Sequence, residues 1–285
     1  MRVFFFGMGY SSQASAEALR KDDPAVEIAG TVRDAGRAQA LAAKGYDIRV
    51  FDGERPGALG EALSGASHVV VSTPPGAQGD PVLRHYWADL ARAPKLEWLC
   101  YFSTVGVYGD FGGAWVDESA PCHPENERSR QRVVAEDEWR SFAREKGIPL
   151  LILRLAGIYG PQRSTFDRLR DGTARRIVKP GQVFNRIHVA DIGRVTALAA
   201  QRRLGGVFNL ADDEPAPPQD LIAYAAELMG VAPPPEVPFE AAEMTPLARS
   251  FYADNKRISN AAIKAALGID LLYPNYREGL SAIAN

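Results

Sequence analysis

The stretch RVFFFGMGYSS, which covers Arg2–Ser12, decides the fold expected for this chain. Its apolar run ends in Gly7 and Gly9, one residue apart, and small residues follow. This pattern predicts a buried strand, a tight turn and the N-terminus of a helix, although a glycine pair alone also occurs in ordinary strand-to-helix turns. Backbone N–H groups at such a turn can approach an anion closely, so we expect a dinucleotide pyrophosphate to bind there.

Serines occupy the rest of this motif. Ser12 stands where the third glycine of the G-x-G-x-x-G pattern usually packs helix against strand, and serine is small enough to replace it. We expect a helix from about Ser12 to Arg20, with Ser11 or Ser12 as its cap. Both serines join Gly7 and Gly9 as candidate cofactor-binding residues.

Strand and helix patterns alternate from the N-terminus to about residue 160. This alternation predicts an α/β protein with a Rossmann-type doubly wound parallel sheet. The domain boundaries that we expect are a nucleotide-binding domain over 1–160, to which 186–211 return, and a smaller C-terminal lobe over 161–285. In that lobe we expect the last helix at about Ser259–Leu267.

A long helix is predicted from Ser129 to Lys146. Ala135, Trp139 and Phe142 recur at i, i+4 and i+7 within it, and this spacing places them on one face. We expect that face to be buried and the charged residues around it to be exposed.

Composition excludes several classes of partner. The net charge is −2, which gives no electrostatic reason to expect nucleic acid or an anionic membrane as a partner. The two cysteines do not suggest a disulfide framework, and no His, Cys, Asp or Glu cluster has metal-ligand spacing. No apolar run reaches the roughly 20 residues of a membrane span, and the N-terminus leads directly into a strand. We therefore expect a cytoplasmic protein with a small-molecule substrate and no metal.

Further candidate cofactor-binding residues follow the predicted strands, because ligands of open parallel sheets bind at the carboxyl ends of strands. Asp52, Thr73 and Ser103 each stand at such an end. Arg33 follows the second strand, where an acidic residue would be typical of NAD binding. An arginine there suits a 2′-phosphate, so we favour NADP over NAD, although Arg33 could also be a solvated loop residue.

Several motifs together carry a resemblance to a known family. The chain resembles the extended short-chain dehydrogenase/reductase superfamily, specifically the NAD-dependent epimerase/dehydratase group, and the resemblance implies a Rossmann domain with a small substrate lobe. The matching stretches besides the glycine turn are Ser103–Gly109, Asp117–Glu118, Ile158–Pro161, Arg186–Asp191 and Phe208–Ala211.

The resemblance also implies a catalytic Ser/Thr and a Tyr-x-x-x-Lys pair, in which tyrosine is the acid/base and lysine holds the nicotinamide ribose. Thr104 matches the Ser/Thr position. A glutamate usually follows the lysine by four residues, and Glu136 matches it, which places Arg132 at the lysine position and Arg128 at the tyrosine position. Arginine stays protonated near neutral pH, so Arg128 cannot cycle a proton.

These replacements leave the proton donor and the function open. Candidate donors are Tyr108, His123 and a bound water, while Tyr252-x-x-x-Lys256 repeats the catalytic spacing far along the chain. The candidate catalytic residues are accordingly Thr104, Tyr108 and Arg132. We expect either an NADP-dependent oxidoreductase or epimerase-like enzyme with a non-standard centre, or a dinucleotide-binding sensor without turnover. The chain could be a monomer or a homodimer.

Overall fold

The computed structural model describes residues 1–284. The strands are β1 Arg2–Phe6, β2 Glu27–Val32, β3 Asp47–Val50, β4 His68–Val71, β5 Trp98–Thr104, β6 Trp115–Val116, β7 Leu150–Leu155, β8 Gly157–Tyr159, β9 Arg176–Val178, β10 Arg186–His188, β11 Gly206–Leu210, β12 Glu236–Pro238 and β13 Arg257–Ile258. The helices are α1 Tyr10–Asp22, α2 Ala35–Ala42, α3 Gly60–Gly65, α4 Pro81–Arg92, α5 Glu127–Lys146, α6 Thr165–Arg170, α7 Val189–Arg202, α8 Pro218–Leu228, α9 Pro246–Ser250, α10 Ala261–Leu267 and α11 Tyr276–Ala284.

A seven-stranded sheet in the order β11-β7-β5-β4-β1-β2-β3 forms the centre of the fold. Strand β1 pairs in parallel with β2 on one side and with β4 on the other. The side chains of Val3 to Phe6 are fully buried, as expected for a parallel strand covered on both faces. The predicted α/β fold with a doubly wound, Rossmann-type parallel sheet is confirmed.

The chain forms two compact units. The first comprises Met1–Thr104, Glu127–Arg154 and Ile192–Phe208, and the second comprises Val105–Asn126, Leu155–Asp191 and Asn209–Asn285. Three short parallel pairs, β8 with β10, β9 with β12 and β6 with β13, lie in the second unit. The expected division into 1–160 and 161–285 stays a prediction.

Helix α5 shows the predicted buried stripe. Ala135 and Trp139 are fully buried and Phe142 is 1% exposed, so these side chains belong to the core of the first unit. The helix packs on β5. This packing fixes the helical positions of Arg132 and Glu136 against the strand that ends at Thr104.

Two local expectations were wrong. Helix α1 begins at Tyr10 with Gly9 at its N-cap, so Ser11 and Ser12 lie inside the helix and do not cap it. Ser12 is fully buried and its hydroxyl donates to Ser72 Oγ instead.

The predicted helix at Ser259–Leu267 is not the last one, because α11 follows it. Asn275 starts α11 through a reciprocal pair with Glu278. The Glu278 N–H donates to Asn275 Oδ1 at 3.0 Å, and Asn275 Nδ2 donates to Glu278 Oε1 at 2.8 Å. This pair differs from a capping box in that the Glu278 carboxylate accepts the side-chain amide of Asn275 and not its backbone N–H, but an Asn followed three residues later by Glu is still a start signal that the sequence shows.

Candidate cofactor site

The glycine turn has a backbone that only glycine adopts easily. Gly7 has φ +89°, and a Cβ there would lie 2.8 Å from Ser72 Oγ. Its N–H donates to Thr31 Oγ1 at 3.0 Å, and its carbonyl accepts from Ser72 Oγ at 2.6 Å. The turn after β1 is therefore held by side chains at the ends of β2 and β4, in an arrangement that a larger residue would disrupt.

Gly9 leaves space at the N-terminus of α1. A Cβ at Gly9 would meet no heavy atom within 4 Å among the described residues outside its own turn, and no side chain of residues 1–284 caps this helix. The first N–H groups of a helix have no intrahelical acceptor and lie at the positive end of the helix dipole. Open space beside such a terminus has room for an anion, and binding of a dinucleotide pyrophosphate there stays a prediction.

A cavity of about 590 Å³ opens at this turn, entirely within the first unit. It is lined by the ends of β1, β2, β3 and β4 and by the loops that follow them. The candidate residues Gly7, Gly9, Arg33, Asp52 and Thr73 all line it. The structure thus brings together five of the cofactor candidates, whereas the other three, Ser11, Ser12 and Ser103, are not among the described lining residues.

Two exposed arginines lie at the β2 end of the cavity. Arg33 and Arg37 both line it, together with Asp34. The Asp34 carboxylate caps α2 by accepting the Arg37 N–H at 2.8 Å. Its Oδ1 therefore already binds the helix, while Arg33 and Arg37 line the cavity after β2, where a cofactor ribose is expected.

Asp52 begins the loop after β3. Its Oδ1 accepts N–H groups of Glu54 at 2.8 Å and Arg55 at 3.3 Å. These backbone hydrogen bonds lower the pKa of the exposed Asp52 carboxyl. An ionised Asp52 that shapes its own loop can still present its second oxygen to a ligand.

Ser103 is tied to helix α5. Its hydroxyl donates to Glu136 Oε1 at 2.6 Å, and Arg154 and Arg140 hold the same carboxylate. Glu136 is 1% exposed, so it is a buried, fully paired carboxylate. A contact between Ser103 and a cofactor stays a prediction.

Arg132 binds the end of β5, two residues before Thr104. One guanidinium nitrogen donates to the Phe102 carbonyl at 2.7 Å and to the Tyr101 hydroxyl at 3.0 Å. Tyr101 is fully buried, and desolvation raises its pKa well above the ordinary value. The charge that the sequence places at the lysine position is therefore present beside the strand of Thr104, which is partly exposed.

The second unit holds the remaining candidates. Tyr108 is fully buried, and its hydroxyl donates to Asn209 Oδ1 at 2.8 Å, while Glu118 accepts the Asn209 N–H at 2.7 Å. Lys256, 5% exposed, donates to the Gly109 carbonyl at 2.6 Å and to Asp254 Oδ2 at 3.2 Å. Its spacing partner Tyr252 is buried as well, and His123 is exposed.

Several cavity-lining residues escaped the sequence reasoning. Thr31, Ser72 and Arg84 hold the cavity walls through hydrogen bonds between distant segments. The polar residues Thr31 and Ser72 at strand ends were a usable signal, because such positions face ligands in parallel sheets. No sequence signal pointed to Arg84, because its hydrogen-bond partners Gly53 and Gln78 lie 31 and 6 residues away along the chain.

No helix among the described residues is long and apolar enough to cross a membrane. Within residues 1–284 there is also no group of three or more His, Cys, Asp and Glu side chains that could hold a metal ion.

Comparison with known proteins agrees with this geometry. The family model of the NAD dependent epimerase/dehydratase family matches residues 86–211. A solved structure of a functionally unknown conserved protein from Silicibacter pomeroyi is 46% identical, with 99% of this chain and 98% of that chain covered and a TM-score of 0.88. The UDP-glucuronic acid 4-epimerase of Bacillus cereus, solved in complex with NAD, shares the fold at 19% identity and a TM-score of 0.78, covering 100% of this chain and 97% of that chain.

A Streptomyces protein named 3-diazoavenalumate denitrifying reductase is 25% identical over 209 residues. The match covers 67% of this chain and 66% of that protein, slightly less than two thirds of its length.

Proposed function

We propose that this chain, whose residues 86–211 match the model of the NAD dependent epimerase/dehydratase family, is an NADP-dependent oxidoreductase or epimerase-like enzyme of that family. Its substrate would be a small or sugar-like carbonyl or hydroxyl compound. One observation carries the cofactor part of this proposal: Arg33 and Arg37 line the cavity that opens at the Gly7–Gly9 turn.

The preference for NADP follows from charge. In an NAD site an acidic side chain after β2 accepts the ribose 2′-hydroxyl. Here Asp34 uses one oxygen on the N-terminus of α2, and two arginine forks flank it, which match a 2′-phosphate. Gly7 and Gly9 would lie against the pyrophosphate, and Thr73 and Asp52 would line the same groove.

The reaction would use a non-standard proton donor. When bound, the nicotinamide supplies or accepts a hydride. Thr104 would orient a substrate oxygen, and Arg132 would supply the positive charge that lysine provides in relatives. Tyr108 is buried with its hydroxyl bound to Asn209, which favours His123 or a water as the proton donor.

Fluorescence titration of NADPH and NADH tests the cofactor assignment. We expect the wild type to bind NADPH more tightly than NADH. The Arg33→Ala substitution should lower the affinity for NADPH about tenfold and change the affinity for NADH little. Arg92→Ala is a matched control, because Arg92 lies on α4 outside the cavity with a 77% exposed side chain. Failure of the wild type to bind either cofactor would end the proposal.

Hydride exchange tests turnover. The panel would contain small aryl and alkyl carbonyl compounds and UDP-sugars, chosen because a matched relative is named a reductase and a structural neighbour a UDP-sugar epimerase. Thr104→Ala should reduce any activity by roughly 100-fold without changing cofactor affinity. Unchanged activity in Thr104→Ala would remove Thr104 from the centre.

The second candidate function is a dinucleotide-binding sensor without turnover. It is favoured by the arginines at both positions of the catalytic pair, Arg128 and Arg132, because neither can cycle a proton. NADPH binding with no hydride exchange on any panel compound would support it. We also propose that the protein is cytoplasmic. We propose that it is a monomer or a homodimer, and light scattering would measure which of the two it forms.

A further inference from the structure

Two loops form the outer side of the cofactor cavity. Residues 51–54 follow β3, and residues 72–79 follow β4, and both lie among the lining residues. The tip of the second loop is a tight turn in which Gly76 and Gly79 exchange N–H to carbonyl hydrogen bonds, each of 3.1 Å. Loops of this kind set the width of a ligand groove, so what holds them is relevant to binding.

A single guanidinium joins the two loops. Arg84, on α4, donates from one terminal nitrogen to the Gly53 carbonyl at 2.7 Å and from the other to Gln78 Oε1 at 2.6 Å. Its Nε donates to His85 Nε2 at 3.3 Å. A planar fork can reach two acceptors in different directions at once, whereas the ammonium of lysine is a compact point charge.

The rest of α4 and α5 anchors the bases of the same loops. The Asp80 N–H donates to Glu138 Oε2 at 3.0 Å, and the Asp80 carboxylate caps α4. The Tyr86 hydroxyl accepts the Gly57 N–H at 2.6 Å. The chain just beyond each loop is thus held by a buried or half-buried partner, and Arg84 contacts both loops, at Gly53 and at Gln78.

We propose that Arg84 is a positioning residue of the cofactor site, which clamps the 51–54 and 72–79 loops at a fixed separation. The proposal rests on the proposed function, because it assigns the clamp to dinucleotide binding. Each terminal nitrogen of Arg84 donates to one of the loops, and we assign recognition of a 2′-phosphate to Arg33 and Arg37, which line the cavity after β2. Substitution of Arg84 should therefore weaken the binding of NADPH and the binding of NADH by the same factor.

The test compares dissociation constants of both cofactors in three variants. In Arg84→Met we expect each Kd to rise about 5- to 20-fold with the NADH/NADPH ratio unchanged within about twofold. Arg33→Met should change that ratio, and Arg92→Met, on the same helix but outside the cavity, should change neither value. Arg84→Lys should lie between the wild type and Arg84→Met, because lysine keeps the charge but not both contacts.

A second readout does not need cofactor. Amide hydrogen exchange of residues 52–57 and 76–79 should be faster in cofactor-free Arg84→Met than in the wild type. If Arg84→Met does not fold, Gln78→Ala replaces it as the test variant. This substitution, at an exposed residue, removes only the hydrogen bond between Arg84 and Gln78. It should accelerate exchange at 76–79 and raise both Kd values by a smaller factor.

The outcomes separate the clamp from the proposed function. Unchanged exchange and unchanged Kd values in Arg84→Met would overturn the clamp. If Arg84→Met lost affinity for NADPH alone, the clamp would also be overturned, because Arg84 would then bind the 2′-phosphate directly. A wild type that binds neither cofactor would overturn the proposed function and the clamp's role in binding, while the exchange data would still show whether Arg84 joins the loops.

Discussion

Ser103 donates its hydroxyl hydrogen to Oε1 of Glu136 at 2.6 Å, and this bond joins the end of β5 to the middle of α5. The same carboxylate accepts two hydrogen bonds from Arg154, at 3.1 and 2.8 Å, and one from Arg140 at 2.9 Å. Glu136 and the Arg154 side chain are 1% and 5% exposed. The strand that carries Thr104 is therefore fixed by a buried ionic cluster.

We expect Glu136→Gln to be strongly destabilising. The substitution leaves the buried Arg154 guanidinium without a counter-charge, and breaking a buried pair in this way costs about 3–5 kcal/mol of the free energy of unfolding. Urea denaturation measures it. Glu127→Gln is the control, since the Glu127–Arg130 pair is exposed and should cost at most about 1 kcal/mol. A loss below about 1 kcal/mol in Glu136→Gln would contradict this reading of the cluster.

The same cluster shows where sequence reasoning succeeds and fails. The periodic stripe of α5 and the glycine turn are local patterns, so the sequence alone predicts them. The sequence gives no sign that the Ser103 hydroxyl donates to Glu136, 33 residues away, and the predicted contact of Ser103 with a cofactor stays a prediction. Ser12 was expected to cap α1 and instead contacts Ser72, 60 residues away. Local pattern does not determine which long-range partner a polar side chain takes.

Gly9→Val should abolish cofactor binding while the fold persists. A side chain at Gly9 would project into the open space of the cavity, and its φ of −81° is accessible to any residue. We expect Kd for NADPH to rise by about 30-fold or more, with a cost near 1 kcal/mol for a poor N-cap. Calorimetric titration and thermal unfolding measure the two effects.

Gly36→Ala provides the matched control for that substitution. A Cβ at Gly36 would lie 3.5 Å from Asp34 Oδ1, an ordinary contact, and alanine is favoured over glycine inside a helix by up to about 1 kcal/mol. It should bind NADPH as the wild type does. Wild-type affinity in Gly9→Val would show that no cofactor approaches this turn.

Arg132 should matter for turnover more than Arg128. Arg132→Met removes the charge and both hydrogen bonds to β5, and we expect kcat/KM to fall by about tenfold or more. Arg132→Lys keeps the charge and should lose less than about fivefold. Arg128→Met, at an exposed position, should change kcat/KM by less than about threefold. Equal losses in Arg128→Met and Arg132→Met, measured by steady-state kinetics, would argue against this ranking.

Asp212 should make the stability of the protein fall as the pH rises. The residue is 1% exposed, its Oδ2 has no hydrogen-bond partner among the described residues, and burial raises its pKa to about 8. The charged neighbours that affect this pKa are Arg186, which lowers it, and Glu214 and Asp213, which raise it.

The sign follows from proton binding. In the unfolded chain the Asp212 carboxyl loses its proton near pH 4, whereas in the folded protein it keeps the proton to about pH 8. The folded state therefore holds the extra proton between these values, and the free energy of unfolding falls by up to about 1.4 kcal/mol per pH unit as the pH rises through this window.

Asp212→Asn removes this dependence, since asparagine has no proton to lose. We expect Tm of the variant relative to the wild type to increase steadily from pH 5 to pH 8. His188, whose pKa burial lowers to about 4, acts in the opposite direction but is common to both proteins. Asp167→Asn controls for the loss of a negative charge, because Asp167 pairs with Arg170 at the surface and is not among the charges that affect Asp212. A Tm difference between Asp212→Asn and wild type that stays constant with pH would show that Asp212 is ionised in the folded protein.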